Sequence, residues 1–104
     1  MDTYELQEIL SNHKQWRDGG GGTRADLSQA NLTWADLTGA NLDFSCWPLW
    51  CGSKGVKIDS RIAAQLASHF CAVDCDDPAY QAARAAILDF AETSHRAEDL
   101  GIQK

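Results

Sequence analysis

The apolar positions divide the chain into three stretches with different periods. In residues 2–16, Leu6, Ile9, Leu10, His13 and Trp16 recur at helical spacing, while Glu5, Glu8, Asn12 and Lys14 fall mostly off that stripe. This spacing predicts an amphipathic first helix. Asp2 followed by Glu5 has the form of a capping box, and His13, on the inner stripe, reads as a hydrogen-bonded core residue. The run Gly19 to Gly22 ends the helix and is expected to act as a flexible joint. It is not a phosphate-cradling loop, because no strand precedes it and no Gly-Lys-Ser/Thr follows.

From Ala25 the period becomes five. Ala stands at 25, 30, 35 and 40, and Leu at 27, 32, 37 and 42, with Asp or Asn between them each time. A period of five fits neither the 3.6-residue helix nor the two-residue strand, and strict self-similarity of this kind signals a solenoid. Each unit then forms one side of a coil. Leu27, Leu32, Leu37 and Leu42 fill the centre, and Ala25, Ala30, Ala35 and Ala40 stay small because a larger side chain would overpack a narrow interior. Ser45 to Leu49 reads as a degenerate fifth unit with Trp47 in the Leu slot. The apolar run Cys46 to Cys51 is expected to plug one end of the coil, since a solenoid must cover its ends.

Beyond residue 58 the helical period returns. Asp59 is expected to cap a second helix running to about Val73, with Ile58 as a staple and Ile62, Leu66, Phe70 and Val73 as its buried stripe. Asp77 at the cap and Pro78 in the first turn open a third helix that ends near Glu92. Its inner face is read as Tyr80, Ala83, Ile87 and Phe90 or Ala91, and Ala82, Ala83, Ala85, Ala86 and Ala91 would allow close approach to the second helix. The polar tail, His95 to Lys104, is expected to fray.

The repeated unit resembles the motif of the pentapeptide-repeat family: a small residue, Asp or Asn, Leu, then two variable residues. That resemblance implies a right-handed, four-sided β-helix with four repeats per coil. The expected fold is therefore α+β, with one short quadrilateral β-helix coil capped by an N-terminal helix and a C-terminal helical pair. The expected divisions are 1–24 for the helical cap and Gly-rich joint, 25–50 for the repeat coil and Trp-rich plug, and 51–104 for the helical region. Four repeats per coil would put Asp26 and Asp36 on opposite sides, so acids from the helices would have to complete any single acidic surface.

Charge then narrows the partners. The chain has 104 residues, a net charge of −6 and a pI near 4.8. Phosphate binding needs Lys and Arg, so direct contact with nucleic acid is not expected and a basic protein surface is. The candidate contact acids are Asp26, Asp36 and Asp43 in the repeats, and Asp74, Asp76 and Asp77 between the last two helices. The length allows a single modest core. No run is long and apolar enough to span a membrane, and the N-terminus lacks a signal-peptide pattern, so the cytosol of whatever cell makes the chain is the expected location.

Other chemistry fits poorly. Cys46, Cys51, Cys71 and Cys75, with His69, lack the paired spacing of zinc sites. His69 and Cys71, two apart on a helix, point in different directions. A thiol nucleophile beside Asp74, Asp76 and Asp77 would be held protonated. No catalytic residue, metal or cofactor is expected.

The order of helix, Gly joint, repeats, Trp-rich loop and second helix is similar to that of small pentapeptide-repeat proteins of phages and prophages. Some members of the wider family mimic DNA and inhibit DNA gyrase. One phage member is an anti-CRISPR inhibitor of the type I-C Cascade. The resemblance implies a monomeric, non-enzymatic DNA mimic that occupies the target-DNA-binding site of Cascade. The alternative is a phage adaptor or inhibitor that binds another host protein, such as DNA gyrase, through an acidic or Trp-rich surface.

Overall fold

The computed structural model describes residues 1–102. The chain divides into two compact units, one from Met1 to Asp59 and one from Ser60 onward. Helix α1 spans Thr3–Arg17, α2 Ser60–Ala72, α3 Pro78–Ala91 and α4 Ala97–Leu100, with a single 3-10 turn at Cys51–Ser53.

Helix α1 begins as its sequence predicts. The Asp2 carboxylate accepts from the Glu5 N–H at 2.8 Å, supplying one of the partners that a helix start lacks. Leu6 and His13 are buried, Ile9 and Leu10 half-buried. The glycine run is more than a joint, because it folds back on the helix. The Gly20 N–H donates to the Gln15 carbonyl at 2.7 Å. Gly22 lies so close to α1 that a Cβ there would collide with the Asn12 carbonyl and would sit 2.7 Å from the Gln15 Cβ.

The repeats do not build the expected right-handed quadrilateral β-helix. Every regular element is helical, and among the described residues there is no sheet and no β-helix. Strand-like pairing is limited to two isolated parallel bridges, Asp26 with Cys46 and Asp36 with Lys57. The physical reason is the repeat number. Four units supply a single layer, and the chain that returns over it beyond residue 50 no longer keeps the five-residue unit, so pairing stops at isolated bridges and no continuous ladder propagates.

The segment is instead a series of tight turns. Ala30, Ala35, Ala40 and Ser45 donate their N–H groups to the carbonyls of Leu27, Leu32, Leu37 and Leu42, at 3.0, 2.8, 2.9 and 3.0 Å. Returning chain satisfies the other face of the leucine backbone. The N–H groups of Leu27, Leu32 and Leu37 reach the carbonyls of Cys46, Gly52 and Lys57 at 3.0, 2.6 and 2.8 Å. The leucines point inward as expected: Leu27, Leu32 and Leu37 are at most 1% exposed and Leu42 is 7% exposed. Each such burial contributes about 1.5–3 kcal/mol. Ala25 is fully enclosed, while Ala30, Ala35 and Ala40 are only half-buried.

The Trp-rich plug is also corrected. Of the run Cys46 to Cys51, Pro48 alone is buried; Leu49 is 96% exposed and Trp50 48% exposed. The pairing of Cys46 with Asp26 does put residues 45–47 in the register of a fifth unit. Trp47, however, is only half-buried in its leucine slot.

The second unit packs α2 against α3 and α4. Asp77 caps α3, accepting from the Ala79 N–H at 2.7 Å, with Pro78 in the first turn. The buried face of α2 is Ile62, Ala64, Gln65, Ser68 and Cys71. The expected stripe fails toward its end, where Phe70 and Val73 are exposed and Leu66 is half-buried. On α3, Tyr80 and Ala91 are buried and Ile87 half-buried, but Ala82, Ala83, Ala85, Ala86 and Phe90 face outward.

Side chains of α3 close the C-terminal end of α2. The Tyr80 hydroxyl reaches the carbonyls of Phe70 (2.6 Å) and Val73 (3.1 Å), and the Arg84 Nε donates to Cys71 O at 2.8 Å. These are the carbonyls that a helix end leaves without partners. The tail does not fray through the described residues. It forms α4 and returns Ala97 and Ile102 to a core with Cys71 and Ala91. Residues 103 and 104 of the expected frayed tail lie outside the described residues.

Candidate interaction surface of the repeat segment

The second position of each repeat has a structural task that its charge does not serve. The Asp26 Oδ1 accepts from the Ser28 N–H at 3.0 Å and the Ser28 hydroxyl at 2.6 Å. The Asn31 Oδ1 does the same with Thr33, at 3.1 and 2.6 Å. Asp36 Oδ1 takes the Thr38 N–H at 2.9 Å, and Asn41 Oδ1 the Asp43 N–H at 2.9 Å. All four are Asx turns, in which one side-chain oxygen captures the backbone two residues on. Asp and Asn alternate because either provides that oxygen.

Asp26 and Asp36 thus expose a carboxylate whose negative charge the turn does not require. Both titrate below the ordinary value of 3.8. For Asp26 the main cause is the Ser28 hydroxyl, then the Ser28 N–H; for Asp36 it is the Thr38 hydroxyl, then the Thr38 N–H. Both are therefore ionised at neutral pH. Asp43 does not join them, because its residue is 8% exposed and belongs to the interior. Sequence spacing could not separate it from the others, since it occupies a variable position of the repeat and not the Asx slot.

The fifth position of the repeats forms the turn corners. Trp34, Gly39 and Phe44 have φ of 64°, 81° and 69°, whereas Gln29, at the same position of the first repeat, has no positive φ. A turn that needs positive φ at its third residue favours glycine, and bulky residues there are strained. Gly39 fits this requirement, whereas Trp34 and Phe44 do not. Both are also largely in solvent, at 75% and 63% exposed.

His13 joins α1 to both ends of the repeats. Its Nδ1 accepts from the Ala25 N–H at 3.0 Å, so the ring proton lies on Nε2, which donates to the Asp43 carbonyl at 2.7 Å. The ring is fully enclosed. Its expected role as a hydrogen-bonded core residue is thus borne out. Trp16 stacks on it at 5.7 Å and meets Phe44 edge-on at 6.4 Å, with the Arg24 guanidinium 6.0 Å from the Trp16 ring. Trp16, Arg17, Asp43 and Phe44 line a shallow groove of about 380 Å³.

In the second unit, Asp74, Asp76 and Asp77 are all exposed on the connection between α2 and α3, and Asp77 also caps α3. Cys46 is half-buried, Cys51 and Cys75 are exposed and Cys71 is buried, all as free thiols. Among the described residues no group of three or more His, Cys, Asp or Glu side chains is placed to hold a metal. No described helix is long and apolar enough to cross a membrane.

A turn-wound segment with inward leucines and an Asx slot in every unit defines a repeat module. The family model for pentapeptide repeats (8 copies) matches residues 23–46, so this segment is similar to that family. No curated protein and no solved structure matches the chain. A pentapeptide-repeat segment is consistent with a protein-interaction module.

Proposed function

We propose that the chain is a non-catalytic interaction protein whose acidic repeat segment docks in a basic, nucleic-acid-binding groove of a partner. One observation carries this reading: Asp26 and Asp36 hold exposed negative charge at fixed points where the neutral Asn31 and Asn41 meet the same structural need. Charge that the fold does not require, on a chain of net −6, is available for recognition. A groove encloses its ligand, so carboxylates on separate sides of the segment can each meet a basic wall. Ionised groups fixed by their own turns imitate phosphates at little conformational cost.

The specific form is an anti-CRISPR protein of phage origin that occupies the target-DNA site of a type I-C Cascade as a monomer, in the bacterial cytoplasm. This rests on the resemblance of the repeats and their flanking elements to small phage proteins. The test is competition on purified Cascade between labelled target duplex and this protein, at low and high salt. Displacement of the duplex that weakens as salt rises is expected. Failure to displace it at low salt contradicts the Cascade assignment.

A second reading has one observation in its favour, the exposure of Leu49 and Trp50. In that reading the chain is an adaptor that grips another host protein, such as DNA gyrase, through the Trp-rich loop. Binding that is indifferent to salt and lost in Trp50→Ala would select it.

A further inference from the structure

We propose that Lys57 is a built-in counter-ion of Asp36, an internal cation that weakens the acidic docking surface on one side of the repeats and that a basic partner must outcompete there. The inference rests on the acidic docking proposed above and names the residue that tunes it.

The two exposed repeat acids occupy equivalent Asx slots, but the returning chain places different neighbours on them. The Lys57 N–H donates to the Ala35 carbonyl at 2.7 Å and the Leu37 N–H donates to the Lys57 carbonyl at 2.8 Å, which pairs Lys57 with Asp36 in parallel register. Residues paired in this way lie about 4.8 Å apart and send their side chains to the same face. The side chain of Lys57, an exposed residue, is thereby tethered beside an exposed carboxylate. Asp26 is paired with Cys46 in the same manner, and there the neighbour offers a thiol hydrogen bond in place of a cation.

The electrostatics follow that difference. The Thr38 hydroxyl, then the Thr38 N–H, hold the Asp36 carboxyl below its ordinary range; burial opposes them, and Lys57 adds a further downward pull. For Asp26 the Ser28 hydroxyl leads and Arg24 comes last, its guanidinium drawn over the Trp16 ring at 6.0 Å. One tethered ammonium competes on equal terms with one basic residue of a partner. A surface offering a single cation therefore gains little at Asp36, whereas a densely basic groove still gains the difference.

The experiment compares the full chain with Lys57→Gln, Asp36→Asn and the double variant. The pairing uses only the backbone of Lys57, so Lys57→Gln removes the ammonium and leaves the pairing intact. Affinity for a labelled oligo-arginine peptide is read by anisotropy at low and high salt, and the Asp26 and Asp36 carboxyl carbons are titrated by NMR. Lys57→Gln should tighten the peptide about 1.5- to 5-fold at low salt, the range of an exposed ion pair. That gain should shrink at high salt and vanish in the Asp36→Asn background. The Asp36 midpoint should move upward in Lys57→Gln while that of Asp26 stays in place. Lys54→Gln makes the same change in net charge, but Lys54 faces the Trp34 N–H at 3.3 Å and no acid, so its gain should be smaller.

An equal gain in the Asp36→Asn background is an effect of net charge and overturns the counter-ion, as does an Asp36 midpoint that stays in place. The acidic docking reading fails separately, if the unmodified chain shows no salt-dependent affinity for the peptide; the carboxyl titration then still decides the counter-ion.

Discussion

In residues 25–46 one hydrogen-bond acceptor returns every five residues and closes the same turn each time, while from Ser60 onward order depends on single, unrepeated contacts. The Asx oxygens of Asp26, Asn31, Asp36 and Asn41 are interchangeable parts. Tyr80 and Arg84, which close the end of α2, recur at no fixed interval in the described residues of their unit. Periodicity divides labour within a repeat. Leucine and one side-chain oxygen maintain the fold, so the charge at the Asx slot and the side chain at the turn corner are free to vary. The helical unit has no such division, and there Asp77 is both an exposed acid and a helix cap.

The comparison is broken most severely at the centre of the repeats. Leu32→Ala removes a fully enclosed side chain and should cost about 3–5 kcal/mol. All four tryptophans precede Asp59, so their fluorescence in a denaturant titration follows this unit. His13→Ala comes next. It strands the Ala25 N–H and the Asp43 carbonyl in the interior and should cost about 2–4 kcal/mol by the same titration. In the helical unit, Tyr80→Phe removes the hydroxyl that closes α2. A loss of about 1–2 kcal/mol is expected, read from helical circular dichroism on heating.

A substitution within the slot sharpens the contrast. Asn31→Asp keeps the oxygen that Thr33 uses, so its stability should stay within about 0.5 kcal/mol of the unmodified chain in the same denaturant titration.

The smallest effect is one of pH. The folded values of Asp26 and Asp36 lie below 3.8, so the turns stabilise fully above that value and lose this contribution as pH falls through the folded values. Thermal midpoints measured from about pH 5 to about pH 2 should fall less steeply when both residues are Asn.

The repeats were legible because a period of five leaves few arrangements open. Spacing alone placed all four leucines inward. It could not show that the pairing would stop at two isolated bridges, nor that Asp43 turns inward. The helical unit was harder to read because alanine scores as apolar wherever it stands. The run from Ala82 to Ala86 suggested a packing face on α3 that lies in solvent.

The tail had a usable signal. Leu100-Gly101-Ile102 is a Schellman end: Gly101 at φ 68° donates to Glu98 O at 3.1 Å, and Ile102 donates to Ala97 O at 3.2 Å. The glycine after Leu100 marks a helix stop, and Ile102 beyond it supplies the apolar contact that usually accompanies one. The positive φ at Trp34 and Phe44 left no trace in residue type, because glycine is the residue that ordinarily reports it.

The central claim is that the fold uses one oxygen of Asp26 and of Asp36 and leaves the charge for a partner. The double variant Asp26→Asn and Asp36→Asn, measured for displacement of target duplex from purified Cascade at low salt, tests it most directly. The account predicts a folded variant whose thermal midpoint at neutral pH falls only slightly, by the contribution of the ionised turns, together with a clear loss of displacement. Full displacement by the folded, neutralised variant would contradict it.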